Sequence, residues 1–431
     1  MSTSRFNALS LSTINASGTS ERALYGALTT DMFFGQKSPL EIRVDKGQAQ
    51  PYFTVPLPAL DGISGVTQKQ LLLVSCLQET ANQLKALSST MAINSIEKLI
   101  ISTSILLNIP ANTESESTKS ESAVQEISVQ ESTVNIANNE QVNSVKKAWQ
   151  EIALHYIKEY LPHFSDKVAF AYEHNSSLDQ IINKVTNQIT SQGANHSTQA
   201  TTFEQPVLII NIDALLEYHS VNALHKVIDV QCTQGPEGIM PAAGATSTLL
   251  IPTHYPTIEH KKLIAIEPLC THPQHSIKAQ LTQAQFSLPS TVLHVGANSE
   301  QWTTHWYGQT NSFYHQPNNA LTEPSLTQKK RAAEQSIPEQ SIAGKVSAEN
   351  EPTEQPLSAT PAKTLTLYNQ TTTLGYLGVA NLSTAFASAA ALLHSPIENI
   401  TELWLVEHQV NSQSTNCKQA KVYKITPIAD V

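Results

Sequence analysis

Cysteine is scarce and scattered in this chain. Its 431 residues hold four, Cys76, Cys232, Cys270 and Cys417, with no C-x-x-C pair and no metal-ligand rhythm. That excludes a disulfide scaffold and reads as reduced thiols in a cytoplasmic protein. Charge is also thin, at 14% of residues, and its balance of -10 leaves no basic run beyond Lys329-Lys330-Arg331, so a general nucleic-acid binder is excluded. No stretch approaches the roughly 18 apolar residues of a membrane-spanning helix. Phe6 to Ile14 alternates with Ser, Asn and Thr, so the chain does not open on a signal-peptide core. Phosphate loops, dinucleotide fingerprints and a G-x-S-x-G nucleophile elbow are all missing. His254, His260, His272 and His275 lack partners at metal spacing, so neither a metal nor a cofactor is expected.

What is present is a hydrophobic content of 40%, enough for a large core built as two domains or one duplicated unit. The most informative stretch runs from Thr371 to His394. It has no Lys, Arg, Asp or Glu, and its residues are small or apolar on every side, which predicts a helix inside the core rather than on its surface. Gly375 and Gly378 stand just before that helix, where backbone passes close to backbone or takes a positive φ. Glu402 to Val406 follows as a short buried strand, so helix and strand together give half of an α/β layered core.

Further strands are expected at Phe6–Ile14, Lys98–Ile105, Lys167–Tyr172, Pro206–Ile212, Ser290–Val295, Lys363–Tyr368 and Ala420–Ile425. The segments Gly238–Ile251 and Lys262–Ile266 read as a strand pair. Helices are expected at Ser20 to Phe34, Gln68 to Ser88, Ser144 to Tyr160, Leu178 to Thr190 and Glu300 to Tyr314, and Asp213 is placed to cap the helix after its strand. Two polar segments, about 110–142 and about 322–362, carry too little apolar surface to offset their ordering entropy and are expected to be disordered. The order of elements repeats, giving one half over residues 1–252 and a second over 253–431.

Thr371 to Asn381 resembles the second histidine motif of the β-ketoacyl synthases of the thiolase-like superfamily, Lys-x-x-x-Gly-His-x-x-Gly-Ala-Ala. Gly375, Gly378 and Ala380 match it, while Thr371 stands for its lysine and Tyr376 for its histidine. Val207 to Ile251 is similar to the family's Gly-Phe-x-x-Gly-Glu-Gly-Ala segment through Gly238, Gly244 and Ala245, with Ile239 in place of Phe and Ala242-Ala243 in place of Gly-Glu. The resemblance implies an α/β, five-layered αβαβα sandwich of two β-α-β-α-β halves, with two mixed sheets around two core helices.

The resemblance also implies an acyl-cysteine at a helix N-terminus, flanked by two histidines that hold developing negative charge. The matching junction here is Tyr172 to Leu178, where His174 takes the place of the cysteine, and no cysteine lies between Cys76 and Cys232. His294, ahead of Val295-Gly296, occupies a place comparable to the first family histidine. The degenerate catalytic positions are therefore His294, His174 and Tyr376, and the pocket and backbone positions are Gly375, Gly378, Gly244 and Thr371. Tyr376 can donate a hydrogen bond but cannot become a cation, and an aromatic plug is its plain structural role.

The expectation is a synthase-like protein without the usual Cys/His/His chemistry, a partner subunit or binding module for an acyl chain, acyl-CoA or acyl-carrier protein in fatty-acid or polyketide-type metabolism. It would form a homodimer, or a heterodimer with a synthase subunit. An acyltransferase with an altered site and a purely structural interaction protein are the alternatives.

Overall fold

A computed structural model describes residues 5–43, 48–63, 65–88, 91, 93–104, 127–172, 205–225, 230–233, 238–255, 262–270, 289–296, 365–408 and 420–428. The elements begin with β1 (Phe6–Ile14), α1 (Glu21–Thr29), β2 (Gln36–Arg43), β3 (Ala49–Thr54), α2 (Gly65–Leu87), β4 (Lys98–Thr103), α3 (Ile127–Tyr160) and β5 (Val168–Tyr172). Then come β6 (Val207–Ala214), α4 (Tyr218–His225), β7 (Ala243–Pro252), β8 (Ile264–Cys270), β9 (Thr291–Val295) and β10 (Thr366–Asn369). The chain closes with α5 (Gln370–Leu374), α6 (Asn381–Leu393), β11 (Leu403–His408) and β12 (Ala420–Pro427).

Ten strands form one mixed sheet in the order β10-β9-β11-β12-β8-β1-β7-β6-β4-β5. It consists of two five-stranded units with the same plan. From β1 outward the pairings to β7, β6, β4 and β5 run antiparallel, antiparallel, parallel and parallel. From β8 outward to β12, β11, β9 and β10 the sequence of directions is the same. The units meet where Phe6, Asn7 and Ala8 pair with Ile266, Ala265 and Ile264. The resemblance implied two separate sheets; here these three residue pairs join them edge to edge. β7 and β8, expected as a pair, are separated by β1, because the first strands of the two units occupy the centre.

All thirteen residues of α6 are buried, as a stretch without charge requires. It packs between the two units. Ile100, Ile209 and Leu250 from one unit and Leu293, Val295, Leu405 and Ile425 from the other share its hydrophobic cluster. The opposite face of the first unit, with Leu9, Leu99, Ile101, Leu208, Ile210 and Leu249, packs on α2 and α3 through Leu73, Leu77, Ala153 and Ile157. This alternation of strand side chains between two faces decides below which residues can look toward α6.

Three local outcomes differ from the sequence reading. Helix α1 takes its expected cap, the Ser20 hydroxyl accepting the Ala23 N–H at 3.2 Å, but it stops at Thr29 rather than Phe34. There the Thr29 and Thr30 hydroxyls bond back to Tyr25 and Gly26 carbonyls and Asp31 turns to positive φ. The antiparallel pair β2 and β3 was not expected, since its first strand is polar and broken by Pro39. Helix α3 starts at Ile127, inside the segment expected to be disordered, and no Gly or Pro interrupts it to Tyr160.

Candidate functional site

In sheets with parallel strands, side chains with chemistry gather at the carboxyl ends of those strands. Here β4, β6, β9, β10 and β11 end close to the opening of α6, and the site is built from what each delivers.

β10 ends at Asn369, whose side-chain oxygen accepts the Thr372 N–H at 3.1 Å and so starts α5. That turn buries Thr371, and its hydroxyl accepts the N–H of Gly296 at 2.9 Å, tying the end of β9 to the end of β10. α5 closes at Gly375, where φ is 76°. A β-carbon there would stand 2.8 Å from the Met240 carbonyl oxygen. The next residue bridges to Pro241, with the Tyr376 N–H donating to Met240 at 2.7 Å and the Tyr376 carbonyl accepting from Ala242 at 3.0 Å. Gly244 serves the same approach from β7, because a β-carbon on it would lie 2.8 Å from the Ile14 carbonyl and 2.8 Å from Leu377.

The Tyr376 ring is fully buried among Ile42, Tyr52, Leu215, Val221, Cys232 and Ile239. Burial first, then the carboxylates of Asp213 and Glu407, push its hydroxyl far above the usual tyrosine range.

Asp213 does not cap the helix that follows it. β6 runs on through Ala214, α4 begins only at Tyr218, and the carboxylate turns inward toward α6. Its Oδ2 accepts the Val379 N–H at 3.2 Å, one turn before α6, where Gly378 at φ 55° has no β-carbon to obstruct it. Its Oδ1 accepts from the Ser104 hydroxyl at 2.5 Å and from the Ala214 N–H at 3.2 Å, and lies 3.4 Å from Lys69 Nζ. Lys69 also donates to the Ser104 carbonyl at 2.5 Å. A carboxylate at the positive end of the helical turns is favourable in itself. It joins α2, β4, β6 and the loop before α6, and the sequence reading gave it a capping role instead because its partners Ser104 and Val379 lie far away along the chain.

His294 is buried, and its Nδ1 lies 2.8 Å from Nε2 of His408, itself buried at the end of β11. One ring nitrogen of the pair must donate and the other accept. Burial alone lowers the His294 pKa to about 4. Leu293 and Val295 belong to the α6 face, so His294 between them, paired in register with Val406, faces the other way. The residue next to Gly296 that looks toward α6 is Val295. Glu407 shares that inward face beside Leu405 and accepts from the Tyr423 hydroxyl at 3.0 Å. The expected strand stops at Val406, so Glu407 and His408, which continue it, were not singled out. His174 lies outside the described residues.

Among the described residues no group of three or more His, Cys, Asp or Glu is placed to hold a metal ion, and no helix is long and apolar enough to cross a membrane. Cys76 and Cys232 are buried and form no disulfide, and burial pushes the Cys76 thiol up to about 12, far from nucleophilic. The arrangement can hold charge and donate hydrogen bonds. It offers no activated nucleophile among the described side chains.

No family model matches the sequence, and no curated protein matches it. Solved structures do. A β-ketoacyl synthase from Burkholderia phymatum STM815 superposes at TM-score 0.50 with 9% identity, covering 99% of this chain and 100% of that one. A ketosynthase solved with the acyl-carrier protein of its type II polyketide synthase and bound to the hexaketide gives TM-score 0.48 and 10% identity, over 99% and 100% of the two chains. The chain has the thiolase-like α/β fold of the β-ketoacyl synthases.

Proposed function

We propose that this chain is a β-ketoacyl-synthase-like protein that has given up condensation chemistry and serves as a partner subunit, or as a binding module for an acyl-carrier protein and its acyl chain. The observation that carries the reading is Tyr376. At the position the resemblance assigns to a catalytic histidine, the ring is fully buried in an apolar cluster and burial holds its hydroxyl protonated. Thr371, at the lysine position, spends its oxygen on the Gly296 N–H. With Val295 inward and His294 outward, the described part of the site presents no histidine to an acyl thioester, and the inward carboxylates of Asp213 and Glu407 are engaged by Ser104, Val379 and Tyr423.

A subunit of this kind needs a surface for its partner. Among the described residues β5 ends the sheet as an edge strand, with Val168, Ala169 and Phe170 only half-buried. Such an edge accepts a strand from a second chain, which supports a dimer, with itself or with a competent synthase. Purified protein incubated with radiolabelled acyl-CoA or acyl-carrier protein is expected to carry no covalent label, and pull-down from its own cells to recover a synthase or a carrier protein. A stable acyl adduct on any residue would overturn the reading in favour of an altered acyltransferase. Recovery of neither partner would leave an interaction protein of another kind.

A further inference from the structure

The face of the first five-stranded unit that lies against α6 carries a polar belt. Register sets Thr13 opposite Thr246, Thr246 opposite Asn211 and Asn211 opposite Ser102, one row across β1, β7, β6 and β4. Thr248, opposite Ser10, stands two residues further along the same face. Their parity is that of Ile100, Ile209 and Leu250, which belong to the cluster around α6, and opposite to that of Ile101, Ile210 and Leu249.

Asn211, Thr246 and Thr248 are 0%, 0% and 1% exposed. The Asn211 amide donates to the Ser383 hydroxyl of α6. Its Oδ1, and the hydroxyl oxygens of both threonines, have no hydrogen-bond partner among the described residues. Threonine is common in strands for its shape alone, yet valine has that shape without the cost of a buried hydroxyl. Three such atoms side by side, with a carboxamide among them, are more than strand propensity explains.

We propose that this belt is an internal binding site for ordered water, one or two molecules held between β6, β7 and α6. A buried water needs two to four polar partners. Side chains directly opposite on neighbouring strands are about 5 Å apart at their β-carbons, so one molecule spans Thr246 Oγ1 and Asn211 Oδ1. Asn211 Oδ1 accepts only, so water donates to it, while a threonine hydroxyl or Ser383 completes the shell from either side. Thr248 lies about 7 Å further along β7, within reach of a second molecule bonded to the first. The helix α6, lined by alanines that would let it slide, is then fixed in rotation by Ser383 and the water beneath it. This inference does not depend on the function proposed above.

The test uses the full chain. A high-resolution crystal structure is expected to show solvent density within hydrogen-bond distance of Asn211 Oδ1, and Thr246→Val and Thr248→Val are each expected to lower the melting midpoint by about 1–3 °C, because each strips a partner from a held water. An unchanged or raised midpoint in both variants overturns the proposal, as does a dry belt in the unsubstituted protein. Should a variant fail to fold, the solvent density decides.

Discussion

Removing the carboxylate of Asp213 should damage this protein more than removing any surface charge. Asp213→Ala takes away the partner of Lys69, whose side chain is only 17% exposed, and leaves the Ser104 hydroxyl and the Val379 N–H without their acceptor. Breaking a buried ion pair from one side costs about 3–5 kcal/mol. Lys69 keeps some access to water, which lowers that figure, and the two orphaned donors each restore about 1 kcal/mol or more. The expected loss is about 4 kcal/mol, read as a lowered urea midpoint at unchanged slope. Asp213→Asn keeps an acceptor for Val379 and should lose roughly half as much. Pairing it with Lys69→Met should recover part of that loss, since no uncompensated charge remains. A cost below about 1 kcal/mol for the alanine variant would refute the assignment of Asp213 as the tie between α2, β4 and α6.

Gly378→Ala should destabilise by about 2–4 kcal/mol, because the new methyl meets the Asp213 carboxylate at a positive φ; Gly26→Ala, on open helix surface, is the control and should be neutral or stabilising in the same melt. Burial holds the His294 imidazole at about 4 against 6.5 when free. The unfolded chain therefore takes up that proton first as pH falls below 6.5, stability drops, and the loss is complete below about pH 4. At 1.36 kcal/mol per pH unit it amounts to about 3 kcal/mol, and a His294→Gln variant should show a flatter stability profile over that window. Cys76, fully buried and held protonated, should react with a thiol reagent only at the rate of unfolding; prompt labelling in native buffer would contradict its place under α2. Phe170→Glu on the edge strand should convert a dimer to monomer in sedimentation at a cost in stability, because Phe170 also packs against the core, if β5 is where subunits meet.

What could be read in advance was decided by composition over long windows. The absence of charge from Thr371 to His394 was enough to place α6 at the centre, and the β-branched runs at Lys98 and Val207 were enough for the central strands. Pairing order was not legible, since nothing in β7 or β8 says that β1 will stand between them. Nor was the role of Asp213, because its partners come from residues 104 and 379 and no local pattern connects them. The facing of His294 was within reach. Alternation along Thr291–Val295 sets it opposite its neighbours, and fixing the face of Leu293 would have settled the histidine's direction.

The strand plan repeats on either side of the antiparallel β1 and β8 pairing, where Asn7 faces Ala265. The fourth strand of each unit then ends in a carboxylate turned toward the shared helix, Asp213 in one and Glu407 in the other, the first serving Ser104 and Val379, the second Tyr423. Matching strands of the two units thus carry carboxylates with unlike partners, so substitution at one gives a built-in reference for substitution at the other within a single polypeptide.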